Sequence, residues 1–240
     1  NGTMMRFDDC FKLAKEESIP IITITEMINY KKRLNVIPKK ITRKVELKAE
    51  ADLNIKVDNQ NILVKFKVFW SALDNMEQIV VIYGDINKDI VPVRIHSECF
   101  TGNVFHSQHC DCWEQMQLGL KVIKEKGYGL FIYLNGHEGR GIGLVNKIKA
   151  YSLQKNGFDT IEANLKLDLP IDSRQYDSAI EILKFLKIKK IDLITNNPKK
   201  CESFKDFLNE RIDASCCPNH YNSKYLTTKK EKMNHKFITN

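Results

Sequence analysis

The chain has 240 residues, of which 42% are hydrophobic and 28% charged, with a formal net charge of +8 at pH 7. This composition can supply a sizeable core and argues against a wholly disordered chain. It also contains no apolar run of the ~18 residues that a membrane-spanning helix needs. The positive charge would suit nucleic acid, an anionic membrane or a phosphorylated small molecule. Because the lysines are spread out and not interleaved with aromatic residues, we expect a solvated lysine-rich surface, with no nucleic-acid or membrane partner.

The cysteine count and the first residues bear on the compartment. Seven cysteines, an odd number without a secretory signal, favour a reducing compartment over a disulfide framework. We therefore expect a cytoplasmic protein. The first residues, Asn1-Gly2-Thr3, resemble neither a signal peptide nor a natural start, so the sequence looks like an excerpt. A missing upstream targeting segment would be compatible with a plastid protein.

The first 34 residues predict two helices and a strand. Phe11, Leu13 and Ala14 follow an amphipathic helical pattern. The apolar run at residues 19–24 predicts a strand, and residues 26–32 predict a second short helix.

A polar stretch separates this segment from the rest of the chain. Residues 35–50 are basic and are interrupted by Pro38, which is typical of a linker. A new pattern begins at about Ala51. We therefore predict a fragment at 1–34, a linker at 35–50 and a catalytic domain at 51–240.

The long remainder alternates strands and helices. Residues 55–70 alternate apolar and polar side chains, as half-buried strands do. The other predicted strands are residues 79–83, 90–95, 129–134 and 191–195, and the predicted helices are 114–126, 144–155 and 177–186. This order predicts an α/β fold, mixed with α+β, in which helices flank mixed sheets.

Three cysteines with polar neighbours form the main chemical signal. Cys99, Cys110 and Cys112 have the spacing C-x10-C-x-C. Three thiolates select zinc and leave its fourth tetrahedral position for water, as in catalytic sites, where zinc lowers the pKa of that water to ~7. One alternative is three ordinary buried cysteines. Another is a closed structural site with His109 or His106 as the fourth ligand.

A glycine-rich turn follows the predicted strand at 129–134. It reads H-E-G-R-G-I-G from His137 to Gly143. Its glycines let backbone amides approach an anion at a helix N-terminus, and Arg140 can bind phosphate oxygens with two hydrogen bonds. The turn is neither a Walker loop nor a dinucleotide motif, and a tight turn without a ligand would explain it equally well. The residues alone thus predict a zinc hydrolase with an anionic substrate.

The order of these segments resembles the GTP cyclohydrolase II family over about residues 76–236. The matching motifs are R-x-H-S-E-C-x-T-G from Arg94, C-D-C from Cys110, H-E-G-R-G-I-G-L from His137, N-K-I-x-A-Y-x-L-Q from Asn146, D-T-x-E-A-N from Asp159, D-x-R-x-Y from Asp172 and T-N-N-P-K-K from Thr195. The resemblance implies zinc-dependent hydrolysis of GTP to 2,5-diamino-6-ribosylamino-4(3H)-pyrimidinone 5′-phosphate, formate and pyrophosphate, the first step of riboflavin biosynthesis. It also implies Mg²⁺ on the substrate triphosphate and a homodimer.

The resemblance implies roles for particular residues. Zinc would be held by Cys99, Cys110 and Cys112. GTP would be bound by Arg94, Ile95, His96, Ser97, Glu98, Gln115, Glu138, Gly139, Arg140, Thr160, Thr195 and Lys200. Asp172 would be the proton acceptor, and Tyr151 would orient or protonate the imidazole ring. Arg174 matches the family's proposed nucleophile toward the α-phosphate. Because guanidinium stays protonated, we expect it to act as an electrostatic stabiliser instead.

A second resemblance covers the first 34 residues. They look like the carboxyl end of 3,4-dihydroxy-2-butanone-4-phosphate synthase, which precedes GTP cyclohydrolase II in bifunctional riboflavin proteins. Only that tail is present, without the synthase's acidic and histidine-bearing catalytic segments. We therefore expect no synthase activity from this chain.

Some residues near the predicted site depart from the family's usual pattern. Asn103 stands in place of Asp, Trp113 in place of Gly, and His109 and Asn135 in place of arginines. Lost arginines would weaken phosphate binding, and Trp113 would crowd the substrate. The alternatives are therefore a zinc- and GTP-binding relative with impaired catalysis or, on charge alone, a basic nucleic-acid-binding module.

Overall fold

The protein is described by a computed structural model that covers residues 6–33, 44–155, 157–223 and 226–227. The chain divides into two compact units, residues 1–42 and 43–240. The first unit contains helices α1 (Phe7–Glu16) and α2 (Ile24–Arg33).

The predicted strand at residues 19–24 is wrong. Residues 19–23 have no regular secondary structure, and α2 begins at Ile24. Thr23 Oγ1 accepts a hydrogen bond from the Glu26 backbone N–H, while the Glu26 carboxylate accepts one from the Thr23 N–H. This reciprocal pair is a capping box, so the end of the apolar run starts a helix.

The second unit is built on a mixed sheet. Its strands are β1 (Val45–Val57), β2 (Gln60–Ser71), β3 (Met76–Tyr83), β4 (Ile90–Ser97), β5 (Gly129–Leu134), β6 (Lys190–Ile194) and β7 (Leu208–Ile212). These seven strands have the order β1-β2-β3-β5-β4-β6-β7. The neighbours β1, β2, β3 and β5 pair antiparallel, whereas β5, β4, β6 and β7 pair parallel. The predicted α/β class with a mixed sheet flanked by helices is confirmed.

Six helices of the second unit can be described. They are α3 (Phe100–Asn103), α4 (Cys112–Lys126), α5 (Leu144–Gln154), α6 (Thr160–Lys166), α7 (Asp177–Phe185) and α8 (Pro198–Ser203). A 3₁₀ turn at Glu138–Arg140 precedes α5. Within the described ranges, no helix has the length and apolarity that crossing a membrane requires.

Part of the predicted linker is a strand. Residues 45–50 belong to β1, where Val45 is 5% exposed and pairs with Ser71 of β2. The segment Val45-Glu46-Leu47-Lys48-Ala49-Glu50 alternates apolar and charged side chains, a strand pattern that the linker prediction overlooked. Residues 35–43 of the predicted linker lie outside the described residues. The assignment of the first unit to a synthase-like fragment stays a prediction.

The alternation of side chains along the strands positions the site. Ile95 and Ile132 point to one face of the sheet and join a core that includes Ile182 of α7. Phe131 points to the other face and packs with Ile123 of α4. The neighbours of Ile95 in β4 therefore face the α4 side of the sheet, because successive strand residues alternate.

Candidate active site

The carboxyl ends of three parallel strands lie at one edge of the sheet. Strand β4 pairs in parallel with both β5 and β6, so the segments that follow these strands meet. Together with one face of α5 they line a cleft of about 1000 Å³, a volume that includes open solvent.

Most of the predicted site residues line this cleft: Arg94, His96, Ser97, Glu98, Cys99, Cys110, Cys112, Gln115, Glu138, Gly139, Arg140, Tyr151, Arg174, Thr195 and Lys200. The side chain of Ile95 is fully buried in the core, and its carbonyl accepts a hydrogen bond from Lys200 Nζ at 2.6 Å. Asp172 does not line the cleft, but it forms an ion pair with Arg174, which does line it. Thr160 begins α6, and its side chain lies outside the described part of the structure.

The three cysteine thiols converge. Their Sγ atoms all lie within 4.8 Å of one another, and those of Cys99 and Cys110 are 3.7 Å apart. Cys99 follows β4, while Cys112 begins α4. Gly102 permits this approach, since a Cβ there would lie 2.9 Å from the Cys110 sulfur and 3.0 Å from the Cys99 sulfur. A methyl group at residue 102 would therefore push the thiols apart.

The three sulfurs suit a soft divalent cation. Hydrogen bonds from Cys110 and Cys112, with the positive charge of Lys147, lower the pKa of the Cys99 thiol. Hydrogen bonds with Cys110 and Cys99, together with burial, raise the pKa of Cys112. Ionising one thiol thus opposes ionising the next, because neighbouring thiolates repel. A dication between them would relieve this repulsion, and three ligands would leave one tetrahedral position open.

A buried lysine that the sequence analysis did not assign connects the thiols with the glycine-rich turn. Lys147 Nζ donates to Cys99 Sγ at 3.0 Å and to Glu138 Oε1 at 2.6 Å. Glu138 Oε2 accepts from the Phe100 backbone N–H. Burial alone would lower the pKa of Lys147, but Tyr151, Cys99 and Glu138 outweigh it and raise that pKa. The i,i+4 spacing of Lys147 and Tyr151, which places both on one face of α5, was the available signal.

Arg94 and Gln115 form a buried chain to the cysteine segment. Arg94 Nη1 donates to the Ile194 carbonyl at 2.9 Å, and Nη2 donates to Gln115 Oε1 at 2.6 Å. Gln115 Nε2 in turn donates to Asp111 Oδ2 at 2.7 Å. Gly119 leaves room for this arginine, because a Cβ there would lie 2.7 Å from Arg94 Cγ. These contacts give both side chains a defined position at the wall of the cleft.

Two buried histidines of the cleft are neutral. Burial and nearby positive charges hold the pKa of His96 well below its ordinary value. Burial, followed by the charges of Arg174 and Lys200, lowers the pKa of His137 to about 4. His137 Nδ1 lies 3.1 Å from Ser97 Oγ, so the neutral imidazole orients this hydroxyl.

The segment around residue 173 packs against the glycine-rich turn. The Ser173 N–H donates to the Arg140 carbonyl at 3.0 Å, and Gly141, with φ of +90°, allows the close approach. Arg174 donates from Nε and Nη2 to the two carboxylate oxygens of Asp172 at 2.9 and 2.7 Å. Burial would raise the pKa of Asp172, but these hydrogen bonds and the charge of Arg174 outweigh it and lower that pKa. The pair is therefore ionised.

Other predicted GTP-binding residues make contacts within the protein. Glu98 Oε2 accepts from the Gly136 N–H at 2.8 Å, and Thr195 Oγ1 accepts from the Asn197 N–H at 3.1 Å. Gly139 adopts φ of +59°, which favours glycine. All three therefore also shape the turns that border the cleft.

Comparison with known proteins identifies the family. Residues 48–209 match the family model described as GTP cyclohydrolase II. This chain belongs to the GTP cyclohydrolase II family. The resemblance seen in its motifs is confirmed.

Relatives differ in how much of their length this chain covers. The riboflavin biosynthesis protein RibBA of Aquifex aeolicus is 40% identical over 241 residues, which is 99% of this chain and 57% of that protein. GTP cyclohydrolase-2 of Archaeoglobus fulgidus is 41% identical over 232 residues, covering 95% of this chain and 58% of the relative. GTP cyclohydrolase-2 of Picrophilus torridus is 46% identical over 168 residues, which is 68% of this chain and 87% of that protein. The chain spans little more than half the length of the first two relatives.

Three residues that depart from the pattern of the GTP cyclohydrolase II family do not line the cleft. The Trp113 ring stacks on His106 with centroids 3.6 Å apart. Asn135 Nδ2 donates to the Glu77 carbonyl at 2.6 Å. His109 is exposed, its ring centroid 5.6 Å from that of Tyr151. Neither histidine joins the three-cysteine group, which does not favour a closed metal site.

Proposed function

We propose that this chain hydrolyses GTP to 2,5-diamino-6-ribosylamino-4(3H)-pyrimidinone 5′-phosphate, with release of formate and pyrophosphate. One observation carries the proposal: a group of three thiols and a set of cationic side chains line the same cleft. GTP presents both a base to open and a triphosphate to neutralise. Membership of the family and the name of its relatives, GTP cyclohydrolase-2, support this substrate.

Zinc is the proposed metal, held by Cys99, Cys110 and Cys112. When bound, zinc supplies Lewis-acid chemistry for hydrolysis at neutral pH. The protein contributes by positioning the three thiols. Gly102 leaves the space in which the thiols meet, and Lys147 donates a charge-assisted hydrogen bond to the Cys99 sulfur.

The cationic side chains Arg140, Arg174 and Lys200 are proposed to neutralise the triphosphate together with Mg²⁺. The two hydrogen bonds to Asp172 fix the plane of the Arg174 guanidinium. Arg174 thus offers an oriented positive charge to the phosphoryl transition state and acts as its electrostatic stabiliser. The lowered pKa of Asp172 keeps its carboxylate ionised and makes it a weak base, so its proposed role as proton acceptor rests on the family resemblance.

Tyr151 is proposed to orient or protonate the imidazole ring of the guanine. It projects into the cleft from α5, one turn after Lys147, whose Nζ lies 5.7 Å from the centre of the tyrosine ring. Because Lys147 also contacts Cys99, the same helix carries the phenol and a contact of the metal site. The phenol therefore has a defined position relative to the thiols.

The test is a product assay on the purified chain with GTP, zinc and magnesium. We expect formate and pyrophosphate in equal amounts, at a rate that falls when a chelator removes zinc. A protein that binds zinc and GTP but releases neither product would be the catalytically impaired relative. RNA binding with a steep salt dependence and no turnover would instead indicate a nucleic-acid-binding module.

Assembly and compartment are part of the same proposal. The resemblance suggests a homodimer, and the odd number of cysteines favours the cytoplasm, or a plastid if the natural protein carries a targeting segment. Light scattering on the purified chain tests the first statement, and a monomer at assay concentration would contradict it.

A further inference from the structure

Asn103 lies at the centre of four polar contacts beside the three thiols. Its Oδ1 accepts hydrogen bonds from the Cys99 backbone N–H and the Tyr133 hydroxyl, both at 3.2 Å, and lies 3.3 Å from His96 Nε2. Its Nδ2 donates to the Cys112 carbonyl at 3.3 Å. One amide group therefore bridges the two chain segments that carry the cysteines.

The partners determine which way the amide points. A backbone N–H can only donate and a backbone carbonyl can only accept. The oxygen of Asn103 must therefore face Cys99 and its nitrogen must face Cys112. An apolar side chain could make neither contact, and a carboxylate could make only the first.

The residues that follow Asn103 are largely exposed and make two ring contacts, Phe105 with Phe100 and His106 with Trp113. Val104 is 57% exposed and Phe105 is 71% exposed, so the side chains next to Asn103 contribute little burial. Cys99 is the N-cap of α3 and Cys112 begins α4, with α3 and residues 104–111 between them. The Asn103 amide bridges the backbone of these two cysteines directly and can therefore set their separation.

We propose that Asn103 is a positioning residue of the metal site. Its side chain sets the separation of Cys99 and Cys112 and thereby the affinity and geometry with which the three thiolates hold zinc. The inference rests on the proposed zinc site. The inference assigns a role in metal binding to a neutral side chain that is not itself a ligand but hydrogen-bonds to the backbone of two ligands.

The test measures zinc affinity by chelator competition and ligand geometry by the absorption of the cobalt-substituted protein. Asn103→Ala should bind zinc about 10- to 100-fold more weakly and shift the cobalt bands. Removal of a side chain that hydrogen-bonds to metal ligands typically weakens metal binding by this factor. Asn103→Asp keeps the acceptor for Cys99, loses the donor to Cys112 and adds a negative charge beside the thiols. It should shift the cobalt bands, because the contact that holds the Cys112 segment is lost.

Asn209→Ala is the control. It removes an amide hydrogen bond to Asp192 Oδ1, at 2.8 Å, outside the lining of the cleft, so zinc affinity should stay within about twofold of wild type. Equal weakening in this variant would indicate general loosening and would overturn the proposal. Wild-type affinity and an unchanged cobalt spectrum in Asn103→Ala would overturn it as well.

Folding of each variant is checked by circular dichroism. If Asn103→Ala does not fold, Asn103→Asp decides: shifted cobalt bands support the bridge, and an unchanged cobalt spectrum contradicts it. GTP turnover is measured separately. Zinc binding that depends on Asn103 in a protein without turnover would refute the proposed function and leave this inference standing.

Discussion

The cleft joins two regions that are positioned by different forces. In the cysteine region, residues 97–112, space and an amide bridge set the positions of the sulfurs: Gly102 leaves room for them and Asn103 bridges their backbone, while Lys147 adds one charge-assisted hydrogen bond. In the cationic region, formed by Arg140, Asp172, Arg174 and Lys200, charge dominates, as in the two-bond Asp172–Arg174 ion pair. A soft metal needs controlled distances, whereas a phosphate chain needs oriented charge. Substitutions in one region should therefore spare the other.

One ion pair connects the two regions. Lys147 and Glu138 have side chains that are 9% and 6% exposed, and they tie the cysteine region to the glycine-rich turn that carries Arg140. A buried pair of this kind is sensitive to loss of either partner. The separation of the two regions is thus expected to hold for substitutions that leave this pair intact.

The largest effect is expected from Cys112→Ser in the cysteine region. With one of three thiolates lost, bound zinc should fall from about one per chain to near zero, and formate release should fall ~10³-fold or more. Pyrophosphate release need not stop, because the cationic region keeps its geometry. Elemental analysis and both product assays are made on the same preparation.

The control for this variant is Cys217→Ser, an exposed cysteine outside the three-thiol group. It should keep both zinc and activity. Full zinc retention in Cys112→Ser would contradict the ligand assignment. Parallel loss of formate and pyrophosphate in a folded Cys112→Ser protein would show that the two reactions are coupled.

The converse effect is expected from Arg174→Ala in the cationic region. Loss of an oriented charge at the phosphates should slow pyrophosphate release ~10²- to 10³-fold, with zinc content unchanged. Lys189→Ala, which removes a positive charge from an exposed ion pair with Asp89, should have no effect. Unchanged pyrophosphate release in Arg174→Ala would mean that the arginine has a positional role only.

A smaller effect is expected on the pH dependence of stability. His137, in the field of the cationic region, has its pKa lowered to about 4. In the unfolded chain this residue takes up a proton near pH 6.5, whereas in the folded protein it stays neutral down to about pH 4. The neutral His137 therefore contributes to stability fully above pH 6.5, and this contribution is lost as the pH falls toward 4. Between pH 7 and 5 the free energy of unfolding should fall by ~2 kcal/mol on this account.

His137→Gln isolates this contribution, because glutamine does not titrate. Urea unfolding of both proteins at pH 7 and pH 5 gives the comparison, and the variant should lose ~2 kcal/mol less than wild type over this interval. An equal loss in both proteins would mean that His137 is not held neutral in the fold.

The sequence predicted the elements that carry the site because their signals are local. The apolar runs of β4, β5 and β6 and the cysteine spacing are visible in short windows. The contacts of Asn103 and Lys147 were not predicted, because they depend on which segments meet at the sheet edge. Residue 103 was noted only as a departure from the family pattern.

The elements that were missed or misplaced have specific causes. Strand β7 is short and polar at an edge of the sheet, so it lacks an apolar signature. Helix α8 begins with Pro198 after an Asn197 cap and was not predicted, because both residue types also favour turns. Residues 19–24 have a strand-like composition but lie before a helix cap. Local composition alone could not separate these cases.

The smallest effect is expected from removal of the first unit. Residues 43–240 form a compact unit that contains every described strand and every residue of the cleft lining. The family match also lies within this unit, at residues 48–209. Deletion of residues 1–42 should therefore leave formate and pyrophosphate release within about twofold of the full chain.

A second deletion, of residues 1–50, tests the boundary that the sequence analysis placed at Ala51. It would remove the first six residues of β1, including Val45, which is 5% exposed and belongs to the core around α7. Loss of this burial and of the pairing with the end of β2 should destabilise the second unit by ~2 kcal/mol or more. Thermal unfolding of both truncated proteins separates the outcomes. If the 1–42 deletion is as unstable as the 1–50 deletion, the first unit supports the catalytic one and the division at residue 43 is wrong.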